Sequence, residues 1–137
     1  MTQIASSSPE QTVEIGRRLG SALDAGSVVS LEGPLGAGKT TLVKGIAEAL
    51  GIDEPVTSPS FTLVCSYAGR LHHVDLYRLE ALAEIEDLGL AELMAADAVT
   101  VIEWGDKARP LLPRDAVRVR VDLKGDSRLV TIDGASL

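Results

Sequence analysis

Residues 33 to 42 read GPLGAGKTTL, three glycines within six residues, then a lysine and two threonines. Gly33, four residues, then Gly38-Lys39-Thr40 has the spacing G-x-x-x-x-G-K-[ST] of a phosphate-binding loop. The residue types suit that chemistry. A loop built from Gly33, Leu35, Gly36, Ala37 and Gly38 turns its backbone N–H groups inward on an anion. Lys39 adds a positive charge near the outer phosphates, and Thr40 offers a hydroxyl to Mg²⁺. A helix beginning at about Gly38 aims the positive end of its dipole at the same place.

Hydrolysis needs a carboxylate to share the ion, and strand ends are where such loops find one. VTVIEW, residues 99–104, is an apolar run closed by Glu103, which falls at the carboxyl end of a buried strand, on the ligand side of a parallel sheet. HHVDLYR, residues 72–78, supplies a second acid, Asp75. Alternation puts His73, Asp75 and Tyr77 on one face and His72, Val74 and Leu76 on the other. Asp75 is a candidate for holding a magnesium water or orienting the attacking one. The histidines read more simply as hydrogen-bonded strand residues.

These groups need a scaffold. SVVSLE (27–32) reads as a buried strand before the loop, and KTTLVKGIAEAL (39–50) as a helix after it, with Leu42, Ile46, Ala49 and Leu50 on one face and Gly51 at its end. Residues 8–23 open like a helix, with Ser8 as N-cap, Pro9 in the first turn and Gln11 completing a capping box. A loop spans 51–61. Strands over 61–67 and 71–77 form a hairpin around AGR. Two short helices, broken at Gly89, fill 79–98, and a strand covers 98–104. AVRVRVDL and RLVTID form a C-terminal hairpin around KGDS. The expectation is one α/β domain over 1–137, like the phosphate-loop nucleotide hydrolases. Its sheet is mixed and mostly parallel, flanked by helices, with antiparallel hairpins.

Composition sets bounds. Of 137 residues, 45% are hydrophobic and 24% charged, ordinary for a globular chain. The net charge of −7 argues against broad direct binding to nucleic acid. Residues 79–106 hold eight acids and no Lys or Arg, whereas 107–128 hold seven Lys or Arg and three acids. Two solvated faces are the simplest reading; an acidic partner surface and a basic rim are the sharper one. No apolar run reaches a membrane span, and MTQIASSSPE has neither a basic start nor an apolar core, so no leader is expected. The lone Cys65 reads as a small core residue and fits a reducing compartment, so the expected location is cytoplasmic.

The set GPLGAGKTTL, TSPSFTLV, HHVDLYRL and VIEWGD, in that order, resembles the TsaE family, bacterial P-loop ATPases of tRNA threonylcarbamoyladenosine synthesis. The resemblance covers roughly residues 8 to 130. It implies ATP and Mg²⁺ as cofactors, with Lys39, Thr40 and Thr41 on the phosphates and metal. Glu103 becomes the magnesium carboxylate, Trp104 its neighbouring tryptophan, and Asp75 an acid of hydrolysis. The stretch from Thr57 to Thr62, with Ser58 and Ser60, looks like the family's switch loop. Tyr77 and Arg78 fall in the third motif, on the switch or partner side of the site. The implied partner is a TsaD–TsaB-like complex, so that tRNA is met only indirectly, and no membrane is involved. Pro34 departs from the family, which commonly has an acid there. For the base, the free elements are Ser8 to Thr12 and the turn Lys124 to Arg128. A nucleotide-dependent binding module with negligible hydrolysis stays open. A small-molecule kinase is the weaker alternative, since no arginine-bearing lid is evident.

Overall fold

The computed structural model describes residues 1–59 and 61–137. In chain order the elements are β1 (Thr2–Ser6), α1 (Pro9–Ser21), β2 (Val28–Glu32), α2 (Lys39–Ala49), β3 (Val64–Tyr67), β4 (Leu71–Asp75), α3 (Leu82–Glu86), α4 (Leu90–Ala95), β5 (Val99–Glu103), a 3₁₀ helix (Gly105–Leu111), β6 (Val117–Lys124) and β7 (Ser127–Asp133). All seven strands form one sheet in the order β1-β7-β6-β2-β5-β4-β3. Parallel pairing runs through the middle, β6 with β2, β2 with β5 and β5 with β4. Antiparallel strands close both edges.

Burial explains the sequence patterns. Every residue of β2 and of β5 is buried, as central strands covered on both faces should be, and Ser30 and Thr100 are buried with their apolar neighbours. One face carries α1 and α2, where Leu19, Leu42 and Ile46 meet Val29, Leu31, Val101 and Val119. The opposite face packs Val28, Val74 and Ile102 against Ile85 of α3, Leu90 of α4 and Ala108 of the 3₁₀ helix. On β6 the order V-R-V-R-V places Val117, Val119 and Val121 in the first core and leaves Arg118 and Arg120 exposed.

Several expected boundaries move. β1 was not foreseen; it lies antiparallel along β7, with Ile4 opposite Val130. The strand expected over 61–67 begins only at Val64. Leu63 takes φ 68 and donates its N–H to the Pro59 carbonyl at 2.7 Å, which bends the chain away from the ladder. β4 stops at Asp75, whose carboxylate accepts the Tyr77 N–H at 3.0 Å, while the Leu76 N–H turns to the Glu103 carbonyl at 3.1 Å. At α1, Ser8 Oγ accepts from Gln11 N, but the Gln11 amide oxygen accepts from Ser7 N, one residue before the expected box. Cys65 is half-buried against the core instead of inside it.

The helices α1 and α2 meet through backbone. A Cβ on Gly45 would fall on the Val13 carbonyl oxygen, and one on Gly16 on the Leu42 carbonyl oxygen. Gly45→Ala therefore decides between two effects of opposite sign. Helix propensity alone would stabilise by about 1 kcal/mol, whereas overpacking costs about 1–3 kcal/mol. The expected result is a lowered melting temperature; a melt at or above wild type would show that the helices are not in backbone contact.

Candidate functional site

Residues 33–38 leave β2 and return as α2, and their glycines take conformations that residues with a side chain rarely adopt: φ is 139 at Gly33, 78 at Gly36 and 103 at Gly38. Gly33 is also pressed against the Val121 carbonyl of β6, where a side chain would have no room. Lys39 is only 5% exposed. Its Nζ donates to the carbonyls of Gly33 at 2.7 Å and Pro34 at 2.8 Å, and lies 4.4 Å from the centre of the Trp104 ring. Burial pulls its pKa below the usual lysine value; Glu103, Asp75 and Asp106 pull the other way, and Arg120 adds to the lowering.

Glu103 ends β5 at 4% exposure, and its Oε2 accepts from Thr40 Oγ1 at 2.9 Å. Residues 63 apart in sequence thus share one hydrogen bond. Asp75, 6% exposed, is the register partner of Glu103 on β4. Trp104 has φ 59, left-handed and costly by about 1–2 kcal/mol for a residue with a side chain. That turn sends its N–H back to the Leu31 carbonyl at 2.9 Å while the ring covers Lys39. Tyr77 packs on Trp104 with ring centres 5.2 Å apart.

Leu35, Gly36, Gly38, Lys39, Thr40, Thr41, Ser58, Asp75, Tyr77, Arg78, Glu103 and Trp104 line one cleft of about 410 Å³. A second cleft, about 220 Å³, shares Gly36, Gly38 and Thr41 with it and is walled by Ala37, Ser8, Thr12, Asp126 and Arg128. The two make one trough over the loop. Arg128 Nε also donates to the Ala37 carbonyl at 3.1 Å, tying the C-terminal hairpin to the loop. Ser8 and Thr12 are not free elements, however. Ser8 caps α1, and Thr12 is buried and within 2.7 Å of the Ser6 hydroxyl. Removing residues 1–12 would therefore remove β1 and unfasten α1.

Not every expected residue reaches the trough. Thr62 is exposed, with its hydroxyl 3.6 Å from Cys65 Sγ. Ser60 lies outside the described residues. Ser58 does line the cleft, in a stretch where Val56 and Pro59 are buried. Arg78 lies over the ring of Phe61 at 4.5 Å. Two further participants were not foreseen. His73 Nε2 is 2.6 Å from Glu103 Oε2. Lys107 Nζ donates to the carbonyls of Tyr77 and Leu79, both at 2.9 Å, and so fastens the 3₁₀ helix to the segment after β4. His73 was visible as one half of a residue pair with Asp75 at i, i+2; Lys107 had no local signal.

The donor set is oxygen: one hydroxyl and two carboxylates, the kind that holds a hard divalent cation. Among the described residues no three His, Cys, Asp or Glu side chains form a metal cage. A hydroxyl and carboxylates of this kind would suit a cation that keeps water and phosphate ligands, as Mg²⁺ does. The glycine-lined loop and the start of α2 suit phosphate oxygens.

A family model described as "Threonylcarbamoyl adenosine biosynthesis protein TsaE" matches residues 6–130. The chain is 43% identical over 130 residues to the tRNA threonylcarbamoyladenosine biosynthesis protein TsaE of Treponema pallidum, covering 93% of this chain and 96% of that protein. It is 40% identical over 121 residues to the protein of the same name from Bacillus subtilis, covering 86% of this chain and 75% of that one. Among solved structures, the crystal structure of Bacillus subtilis YdiB superposes with a TM-score of 0.80 at 32% identity, over 96% of this chain and 83% of that one.

Lys39 gives a pH signature. Its lowered pKa means that the folded chain holds this proton less tightly than the unfolded one. The charge therefore opposes folding at neutral pH, and stability is regained as pH rises through the lowered value towards 10.5. The melting temperature of Lys39→Met relative to wild type should be highest at pH 7 and fall steadily towards pH 10. A difference that does not change with pH would show that the site does not disfavour the ammonium.

Proposed function

The chain belongs to the TsaE family of threonylcarbamoyl adenosine biosynthesis proteins, and from that membership we propose that it is the pathway's accessory ATPase. In this reading it binds ATP with Mg²⁺ in the trough and hydrolyses it to support turnover of a TsaD–TsaB-like complex, meeting tRNA only through that complex. The observation that carries the reading is the hydrogen bond from Thr40 to Glu103 beside Lys39. It joins a loop hydroxyl to a strand-end carboxylate, the pair that phosphate-loop hydrolases use to hold their ion.

Each residue then has a task. The backbone N–H groups of residues 33–38 cradle the β-phosphate, and Lys39 exchanges its bonds to the Gly33 and Pro34 carbonyls for β- and γ-oxygens. Bound Mg²⁺ supplies charge neutralisation across those phosphates. Thr40 and Glu103 hold it, and Asp75 orients the attacking water from the neighbouring strand. The base lies in the smaller cleft between Ser8 and Arg128.

Among the described residues Arg78 is the single arginine lining the phosphate cleft, and its guanidinium lies against Phe61. Charge developing on the γ-phosphoryl group is thus poorly met by the chain alone. Slow turnover in isolation follows, with stimulation when a partner orders the loop around Ser58. An arginine supplied in trans is worth about 10³–10⁵ in rate. No helix is long and apolar enough to cross a membrane among the described residues, in keeping with a partner that is a protein complex.

Phosphate release should be measured at fixed salt with and without the partner complex. Lys39→Ala is expected to abolish it and Asp75→Asn to reduce it strongly. Thr40→Ala and Glu103→Ala should not add, since groups acting as a unit lose the same step once. Full-speed hydrolysis by the isolated chain, indifferent to partner, would defeat the accessory reading. No release under either condition, with ATP still bound, would favour a nucleotide-dependent binding module.

A further inference from the structure

A strand residue with 0% exposure is ordinarily apolar, and His73 is the exception on β4. On its face of the sheet it sits between Leu71, two residues earlier, and Val101, its register partner on β5, both fully buried. An imidazole in such a place costs free energy unless its nitrogens are bonded. Nε2 lies 2.6 Å from Glu103 Oε2, whereas Nδ1 is buried with no hydrogen-bond partner among the described residues. A carboxylate only accepts, so Nε2 carries the hydrogen and donates it. The fold tolerates one bare ring nitrogen to keep the other on Glu103.

The receiving oxygen is shared. Oε2 also accepts from Thr40 Oγ1 at 2.9 Å. Donors from β4 and from the start of α2 thus converge on one atom at the end of β5. Turning the carboxylate about its own axis would break both bonds, so its plane is set by two elements at once, and Oε1 is the oxygen that neither donor takes. Hydrogen bonds behind a metal ligand commonly set its orientation and strength in this way.

On the basis of the magnesium–nucleotide site proposed above, we propose that His73 is a positioning residue: through Nε2–H it fixes Glu103 so that Oε1 faces the ion on the nucleotide. Val, Leu or Phe in its place would satisfy the core and leave Glu103 held by Thr40 alone. Thr40 is itself proposed to turn towards the ion when nucleotide is bound. His73 is then the donor that remains on Oε2 in the loaded state.

The test uses the full chain with ADP and reads Mn²⁺ affinity of the protein–ADP complex by electron paramagnetic resonance, independent of hydrolysis. His73→Leu is expected to raise the Mn²⁺ dissociation constant about 10–100-fold, with ADP affinity in EDTA unchanged. His73→Gln, whose amide nitrogen reaches the place of Nε2, should recover most of the loss. His73→Asn, whose amide nitrogen reaches only the place of Nδ1, should not. Wild-type Mn²⁺ affinity in a folded His73→Leu overturns the proposal, as does equal impairment of the Gln and Asn variants, which marks a purely structural ring. If the Leu variant does not fold, the Gln and Asn pair decides alone. A wild-type protein whose ADP complex takes up no Mn²⁺ removes the site reading itself, and this proposal with it, before any substitution is made.

Discussion

Glu103 cannot be buried alone. A carboxylate at 4% exposure is held only by the donors that reach it, and those come from Thr40 and His73 on either side. The sheet order places β4 beside β5 and β2 on its other flank, so the two donors arrive from different segments of the chain. Lys39, the other buried charge, is met by carbonyls of its own loop and by the Trp104 ring. The left-handed turn at Trp104, the stop of β4 at Asp75 and the contact of Gly33 with β6 all lie where these groups meet, at the carboxyl ends of the central strands.

The polar contacts outside the trough extend that arrangement. Glu32 ends β2 at 7% exposure and accepts from Arg109 at 3.0 Å and Arg118 at 3.5 Å. Those arginines are more than half exposed, so each bond is individually weak. Their geometry matters more: Arg109 belongs to the 3₁₀ helix, which therefore leans on β2 just before the loop. At its other side the same helix grips the segment after β4 through Lys107. The basic run of residues 107–128 is thus a largely solvated face, some of whose side chains also tie the 3₁₀ helix to β2 and to the segment after β4.

Legibility in the sequence followed the range of the forces. The loop, β2, α2 and the strand-end Glu103 were readable because motif spacing and runs rich in apolar, β-branched residues are local. So was the C-terminal hairpin of AVRVRVDL and RLVTID around KGDS, now β6 and β7. β1 was not, because TQIAS carries a single strong apolar residue and is held by pairing with β7, 125 or so positions away. The end of β4, expected at residue 77 and found at Asp75, and the late start of β3 turn on a few hydrogen bonds of single backbone N–H groups, which leave no mark in composition. His73 was read as an ordinary strand residue, since its partner lies 30 positions on. The acidic stretch 79–106 looked like a surface, yet it contains Glu103 and two short helices whose apolar sides close the second core.

The backbone contact between α1 and α2 has a mechanical side. Where helices meet through side chains, rotamers act as a cushion and small displacements are absorbed. Where they meet through Gly16 and Gly45, there is nothing to compress. The first residue of α2 is Lys39 and the cap of α1 is Ser8, so the two walls of the trough are the ends of one stiff beam. A push on the phosphate end cannot be taken up between the helices. It is passed along both helices together, towards the Ala49 end of α2.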